Sequence, residues 1–276
     1  MIAPDCIASA DRRCGASPGS QRWDVILAGR ARNRGSGYSV RGVPLFRVDD
    51  DDGERDLRLD GDLEIELCGE RLVLLPERAA YRPADRSLLV ADPHFGKAAA
   101  FRAHGFAVPG GTTGETLARL ARATERTGAE SIVFLGDFLH AKAGRAAKTL
   151  DALLAWRAAH PRLALTLVRG NHDAHAGDPP EELRIACVDG PLQAQPFAYA
   201  HHPQPAPACY VLAGHVHPSV TLRGAGRQRQ RLPCFHLGPR VGILPAFGEF
   251  TGTADVPVAP GDRVYVVAGG QVVPAG

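Results

Sequence analysis

The sequence is short of several things, and each shortage narrows what the chain can be. No apolar run approaches the roughly 20 residues of a membrane-spanning helix. The amino end has no basic stretch followed by an apolar one, so no secretory signal is expected. The six cysteines include no CxxC pair and form no dense framework, which argues for reduced thiols and a cytoplasmic setting. Net charge is +2, too near neutrality to call for a polyanionic partner by itself. No repeat of solenoid type recurs. Lysine is scarce and methionine occurs once, at position 1.

What remains is ordinary globular material, 45% hydrophobic and 22% charged, enough for one large domain or two small ones. The first 60 residues stand apart. Residues 1–47 carry eight Arg against three acids, and residues 48–62 carry eight acids, Asp49–Asp52 among them, against two Arg. Such a segment buries too little apolar surface to offset its ordering entropy. Residues 1–60 are therefore expected to be a low-complexity, disordered extension, or to precede the true start. Residues 61–276 are expected to form the working domain.

From residue 61 the pattern is regular. Leu63–Cys68 alternates, Gly69-Glu70 turns, and Arg71–Leu75 returns, a hairpin signature. Apolar strands are expected at 87–91, 131–135 and 163–168, separated by helices at 113–126 and 146–159. Each of these strands runs straight into a polar block: ADPH, GD and GNHD. Short strands follow at 197–200, 210–213, 219–223, 231–235 and 264–267, and two of those end at YAHHPQ and AGHVHP. In open α/β sheets, ligands sit just beyond the carboxyl ends of the strands.

Those blocks hold Asp92, His94, Asp137, Asn171, His201, His215 and His217. Oxygen and imidazole donors of this kind suit borderline divalent metals. Seven donors are too many for one ion and fit two ions that share a carboxylate, the clamp used for displacement at phosphorus. Gly136, Gly170 and Gly214 precede ligands, where a tight turn or close backbone approach is needed.

The order and spacing of these blocks resemble the calcineurin-like metallophosphoesterase superfamily over roughly residues 85–270. The intervening segments, from LLVADPHFGKAAAFRAHGFAVPGG to LPCFHLGPRVGILPAFGEFTG, are similar to the bacterial ligase-associated DNA-damage-response endonuclease family. Pro93 inside DPH and the extension are this chain's variations. The resemblance implies an α/β fold of α+β four-layer type, a metallophosphoesterase β-sandwich flanked by helices.

It implies that Asp92, His94 and His217 hold one metal, that Asn171, His201 and His215 hold the other, and that Asp137 bridges them. A bridging carboxylate offsets part of the repulsion between two dications. Manganese is the expected ion, with iron or zinc as alternatives. His201 is preferred to His202 because it directly follows the strand and matches the HxP spacing. His172 is expected to act on the leaving oxygen or the phosphoryl charge, Asp173 to fix its tautomer, and His140 to orient the phosphate. Lys97, Arg145 and the arginines Arg223, Arg227, Arg229 and Arg231 are candidates for flanking phosphates, and a solvated hairpin is the competing reading for those four. His104, His160 and His175 read as surface residues, and His236 as core or surface.

The implied substrate is DNA or another phosphodiester, with an ATP-dependent DNA ligase and a helicase as functional partners. A nucleotide pyrophosphatase of the same fold is the first alternative, although no apolar insert for a lipid substrate is evident. A non-catalytic scaffold, or a nucleic-acid binder without chemistry, would have lost ligands, and none is lost.

Overall fold

The computed structural model describes residues 61–108, 110–223 and 229–275; the extension 1–60 and Arg227 lie outside them. In chain order the first half contains β1 (Leu63–Leu67), β2 (Glu70–Leu75), β3 (Ala79–Arg82), β4 (Ser87–Val90), α1 (Lys97–Ala103), α2 (Thr112–Thr127), β5 (Ser131–Leu135), α3 (Ala147–Ala159), β6 (Ala164–Val168), α4 (Asn171–Ala176) and β7 (Ile185–Val188). The second half contains β8 (Leu192–Ala194), β9 (Phe197–Ala200), β10 (Tyr210–Ala213), β11 (Pro218–Arg223), β12 (Arg229–Leu237), β13 (Val241–Ile243), β14 (Ala254–Asp255), β15 (Arg263–Ala268) and β16 (Gln271–Pro274). No helix among the described residues is long and apolar enough to cross a membrane.

The expected hairpin forms where Cys68 and Gly69, both at positive φ, supply the two-residue turn whose twist suits paired strands. β1 to β7 then lie side by side in chain order as one sheet. β4, β5, β6 and β7 are parallel neighbours, so their carboxyl ends share one edge. The second sheet runs β14-β11-β12-β13-β10-β9-β8, with β15 on β12 and β16 on β15. Within it β9 and β10 are parallel neighbours.

The central strands are apolar on both faces because both faces are covered. Leu88, Val90, Ile132, Phe134, Leu165 and Leu167 pack against Leu117 and Leu120 of α2 and Leu153 of α3. The residues between them, Leu89, Val133 and Leu135, face the second sheet and meet Phe197, Tyr199, Leu212 and Phe235. Truncating one of these, such as fully buried Leu135, would cost about 2–5 kcal/mol.

α2 buries Leu117, Leu120, Ala123, Thr124 and Thr127 at helical spacing and stops at Gly128 in the left-handed conformation. The outer face of the second sheet carries only small apolar clusters, one of them Leu232, Cys234, Val264 and Val266. No α-helix follows Ala176 among the described residues. The two packed sheets, with α2 and α3 against the first, form the expected α/β sandwich flanked by helices.

Candidate metal centre

Seven side chains converge where the carboxyl ends of both sheets meet. Asp92 and His94 follow β4, Asp137 follows β5, and Asn171 opens α4 after β6. His201 follows β9, and His215 and His217 follow β10. The first sheet thus gives four donors and the second gives three. Backbone hydrogen bonds tie the loops together. His94 N–H donates to Asp137 O at 3.0 Å, Phe95 N–H to Phe138 O at 2.8 Å, Gly214 N–H to His201 O at 3.1 Å, and Gly248 N–H to Asp92 O at 3.1 Å.

The donor atoms sort into two groups. In the first, His94 Nε2 and His217 Nε2 are 3.2 Å apart, Asp92 Oδ1 is 3.7 Å from His217 Nε2, and Asp137 Oδ2 is 3.7 Å from His94 Nε2. In the second, His201 Nε2 lies 2.8 Å from Asn171 Oδ1, 3.0 Å from His215 Nδ1 and 3.4 Å from Asp137 Oδ1. The two oxygens of Asp137 thus face different groups. The first group is largely buried, whereas Asn171 and His215 of the second are open to solvent.

These residues fit a pair of divalent cations on the evidence of their own chemistry. Asp92 is 0% exposed and Asp137 is 2% exposed. Asp92 Oδ1 is buried without a hydrogen-bond partner, a costly condition for a carboxylate oxygen unless a cation sits beside it. Burial, with Lys97, His217, His172 and His140 around it, holds His94 far below the usual imidazole range. Burial and the neighbouring His201 and His202 also lower His215. At His217 burial pulls down, but Asp92 and the Gly252 carbonyl outweigh it and the net shift is upward. Neutral imidazole is the form that binds metal.

The candidate ligands are held from behind. His201 Nδ1–H donates to Leu135 O at 3.0 Å, and His217 Nδ1–H donates to Gly252 O at 2.9 Å. Each bond selects the tautomer that presents Nε2 to the site. His215 N–H donates to Asp92 Oδ2, and His172 N–H to Asp137 Oδ1. Gly136 takes φ 83, and a Cβ there would stand 2.1 Å from His201 Nδ1. A Cβ on Gly170 would stand 2.3 Å from Asp137 Oδ1. Both positions need glycine for the reason its place before a ligand implied.

The structure therefore brings together all seven expected ligands; His201 is buried and His202 exposed, and the His202 ring also lies beside His201 and His215, with centroids 4.8 and 4.4 Å away. His172 stands next to them, half-buried, with Nε2 3.9 Å from Asp137 Oδ2. The expectation that Asp173 sets its tautomer needs correction. Asp173 instead accepts backbone N–H bonds from Asp137, Phe138 and Gly170 at 2.8–2.9 Å, so it staples the bridging loop to the start of α4. His172 Nδ1 is oriented by the carbonyl of His140, at 2.7 Å. The His140 ring stacks on His172, with centroids 4.9 Å apart, and its Nδ1 is 3.4 Å from His94 Nδ1. Burial, then Lys97 and His172, push His140 down to about 4. It is a neutral ring at pH 7.

Of the candidate arginines, the side chains of Arg145, Arg229 and Arg231 are described. Arg145 donates to the Asp178 carbonyl at 2.7 Å, beyond the end of α4. Arg231 is paired with Asp255 at 2.9 Å on the surface, and Arg229 is exposed at the start of β12. His236 pairs with Asp262 at 2.9 Å within the second sheet. Sequence reasoning missed the orienting carbonyls of Leu135, His140 and Gly252, because a backbone carbonyl leaves no trace in residue type. It also missed Arg119 of α2, which grips Glu249 and the Phe247 carbonyl on the loop leading to Gly252.

Comparison with solved structures finds the Pseudomonas putida nuclease MPE at 47% sequence identity and a TM-score of 0.70, covering 78% of this chain and 100% of that one. A phosphoesterase from E. coli, Yfce, aligns at 14% identity and a TM-score of 0.32, covering 66% of this chain and 88% of that one; a likeness so slight says nothing more about the site. Neither a family model nor a curated protein matches the chain.

Proposed function

The chain belongs to the calcineurin-like metallophosphoesterases, as its identity to the whole of the Pseudomonas putida nuclease shows, and we propose that it is a two-metal phosphodiesterase acting on DNA. That it is a metal-dependent phosphoesterase follows from the family. The diester preference, the DNA substrate and a role in DNA repair alongside an ATP-dependent ligase and a helicase are our reading. One observation supports it above all: two four-donor groups share the two oxygens of a single buried carboxylate, Asp137.

Asp92, His94 and His217 would hold one ion, Asn171, His201 and His215 the other, and Asp137 would bridge. When bound, such a pair supplies Lewis acidity toward phosphoryl oxygens and acidifies a water. Manganese is the ion we favour. The protein's own groups do the rest. Asn171 contributes a neutral oxygen, which leaves that group with less negative charge than a second carboxylate would. His172, its Nδ1–H committed to the His140 carbonyl, has Nε2 directed to the site and positioned to move a proton at the leaving oxygen. His140, neutral at pH 7, holds His172 in place through its carbonyl and its ring rather than as an acid.

The test is a substrate panel with the full chain and Mn²⁺: bis-p-nitrophenyl phosphate, p-nitrophenyl phosphate, single- and double-stranded DNA, and a nucleotide-linked lipid. The expected result is faster hydrolysis of the diester than of the monoester, together with cleavage of DNA. Strong monoesterase activity with negligible diesterase activity, or turnover confined to the nucleotide-linked lipid, contradicts the reading.

A further inference from the structure

Four large apolar side chains are exposed among the described residues: Phe101, Phe106, Phe250 and Val258. Two of them sit together. Phe101 is 38% exposed and Phe106 60% exposed, with ring centroids 5.7 Å apart. α1 is built in an unusual sense, because it buries its small residues Ala98 and Ala100 and turns its one large apolar residue outward. A single exposed phenyl needs no explanation. This pair is different because it is the outer end of a series of rings. Phe101 lies nearly parallel to His140, 6.0 Å away at 20°, and His140 lies nearly parallel to His172, 4.9 Å away at 25°. His172 in turn is beside the bridging carboxylate.

Backbone contacts tie the elements that carry the series. His140 N–H donates to Phe95 O at 3.1 Å, just before α1, and Phe106 N–H donates to Phe101 O at 3.1 Å. At the start of α1, Gly96 takes φ 78 and meets the Gly144 backbone so closely that a Cβ would be 2.1 Å from its carbonyl oxygen. The backbone that carries the phenyl pair is thus tied to the loop of His140. Lys97, in the first turn of the same helix, lies near enough to Asp92 and Asp137 to feel both charges.

We propose that Phe101 and Phe106 form a stacking platform for an unpaired nucleobase of the DNA strand whose phosphate occupies the metal centre. This rests on the nuclease reading above. The occupant is argued from continuity: two exposed phenyl faces, tilted 60° to one another, with the inner one joined by nearly parallel rings to a phosphate-reacting centre, suit a substrate that carries flat rings at short intervals along a phosphate chain. The base must be unpaired, because within a duplex its neighbours cover both of its faces. Base–aromatic stacking is tolerant of sequence, so the platform selects strandedness rather than sequence.

The experiment compares cleavage, with Mn²⁺, of a single-stranded oligonucleotide and of the same oligonucleotide carrying abasic residues around the cleaved phosphates. Fluorescence anisotropy in EDTA gives a second readout, of binding alone. The proteins are the wild type, the double variant Phe101→Leu/Phe106→Leu, which keeps apolar bulk without a ring, and the double variant Phe101→Trp/Phe106→Trp. The wild type should lose about 5- to 150-fold in kcat/KM on the abasic strand for each base that stacks. The Leu variant should cut the intact strand at the abasic rate, without discrimination, and the Trp variant should recover it. Metal content and hydrolysis of a small chromogenic diester report whether the centre is intact. Equal cleavage of intact and abasic strands by the wild type overturns the proposal, as does discrimination that survives in the Leu variant. Cleavage of duplex DNA alone overturns the platform and leaves the nuclease reading standing. Hydrolysis of the small diester with no cleavage of any DNA overturns the nuclease reading, and the platform falls with it.

Discussion

Five of the seven candidate ligands take left-handed backbone conformations: Asp92 at φ 50, His94 at φ 45, Asp137 at φ 52, His215 at φ 71 and His217 at φ 53. Asp and His tolerate this region better than most residues, yet each instance costs of order 1–3 kcal/mol. Such a cost persists only where the surroundings over-determine the geometry, and here the loops are tied by backbone bonds and seated on a packed sandwich. That these Asp, His and Asn side chains come together was legible in the sequence, because at strand ends such residues have few other uses in concert. Their backbone strain and their orienting carbonyls were not legible, and Asp173 was misread for the same reason: its partners are amides, which every residue has. His172 belongs to this scale too. His172→Ala should lower kcat for a diester by about 10²–10⁴ while metal content stays at the wild-type level, measured by steady-state kinetics and elemental analysis on the same preparation. Metal lost in proportion to activity would make His172 a ligand instead.

Among the elements, the loop between β13 and β14 does what no motif announces. It carries Gly252, whose carbonyl orients His217, and it is gripped upstream by Arg119 through Glu249 and Phe247. Arg119 also lies over the Phe247 ring, 4.7 Å from its centroid. Burial alone would raise the Glu249 carboxyl, but the Arg119 hydrogen bond and charge, then Arg78, bring it below its ordinary value of 4.5. A depressed carboxyl contributes stability that is present above the unfolded value and is lost as pH falls through the lower folded one. Arg119→Gln should therefore flatten the fall of Tm below about pH 4.5 in EDTA. It should also weaken Mn²⁺ binding about tenfold at the group of Asp92, His94 and His217, the low end for a partner that acts through a ligand's support. Calorimetric titration identical to wild type would show that the loop holds itself. The long strands and α2 and α3 were legible from periodicity. β3 and α1 were not: all four residues of β3 are buried, so nothing alternates, and α1 is only seven residues of mostly alanine.

For the whole molecule, the consequential feature is that the centre spans the seam between two sheets. The order of the blocks along the chain was readable, and so was their arrival at strand ends. That β9 and β10 lie adjacent and parallel, bringing His201 and His215 to the same point, depends on long-range pairing that local pattern does not encode. The seam also makes Asp137 the keystone of the account, since its two oxygens serve both donor groups. The most direct test is metal content by elemental analysis after saturation with Mn²⁺ and removal of excess ion, for the wild type and for Asp137→Asn. The account predicts about two ions per wild-type chain and, in the variant, fewer than one ion with diesterase activity nearly abolished. A wild-type chain that is fully active with a single ion, or an Asp137→Asn chain that keeps both ions and its activity, would contradict it.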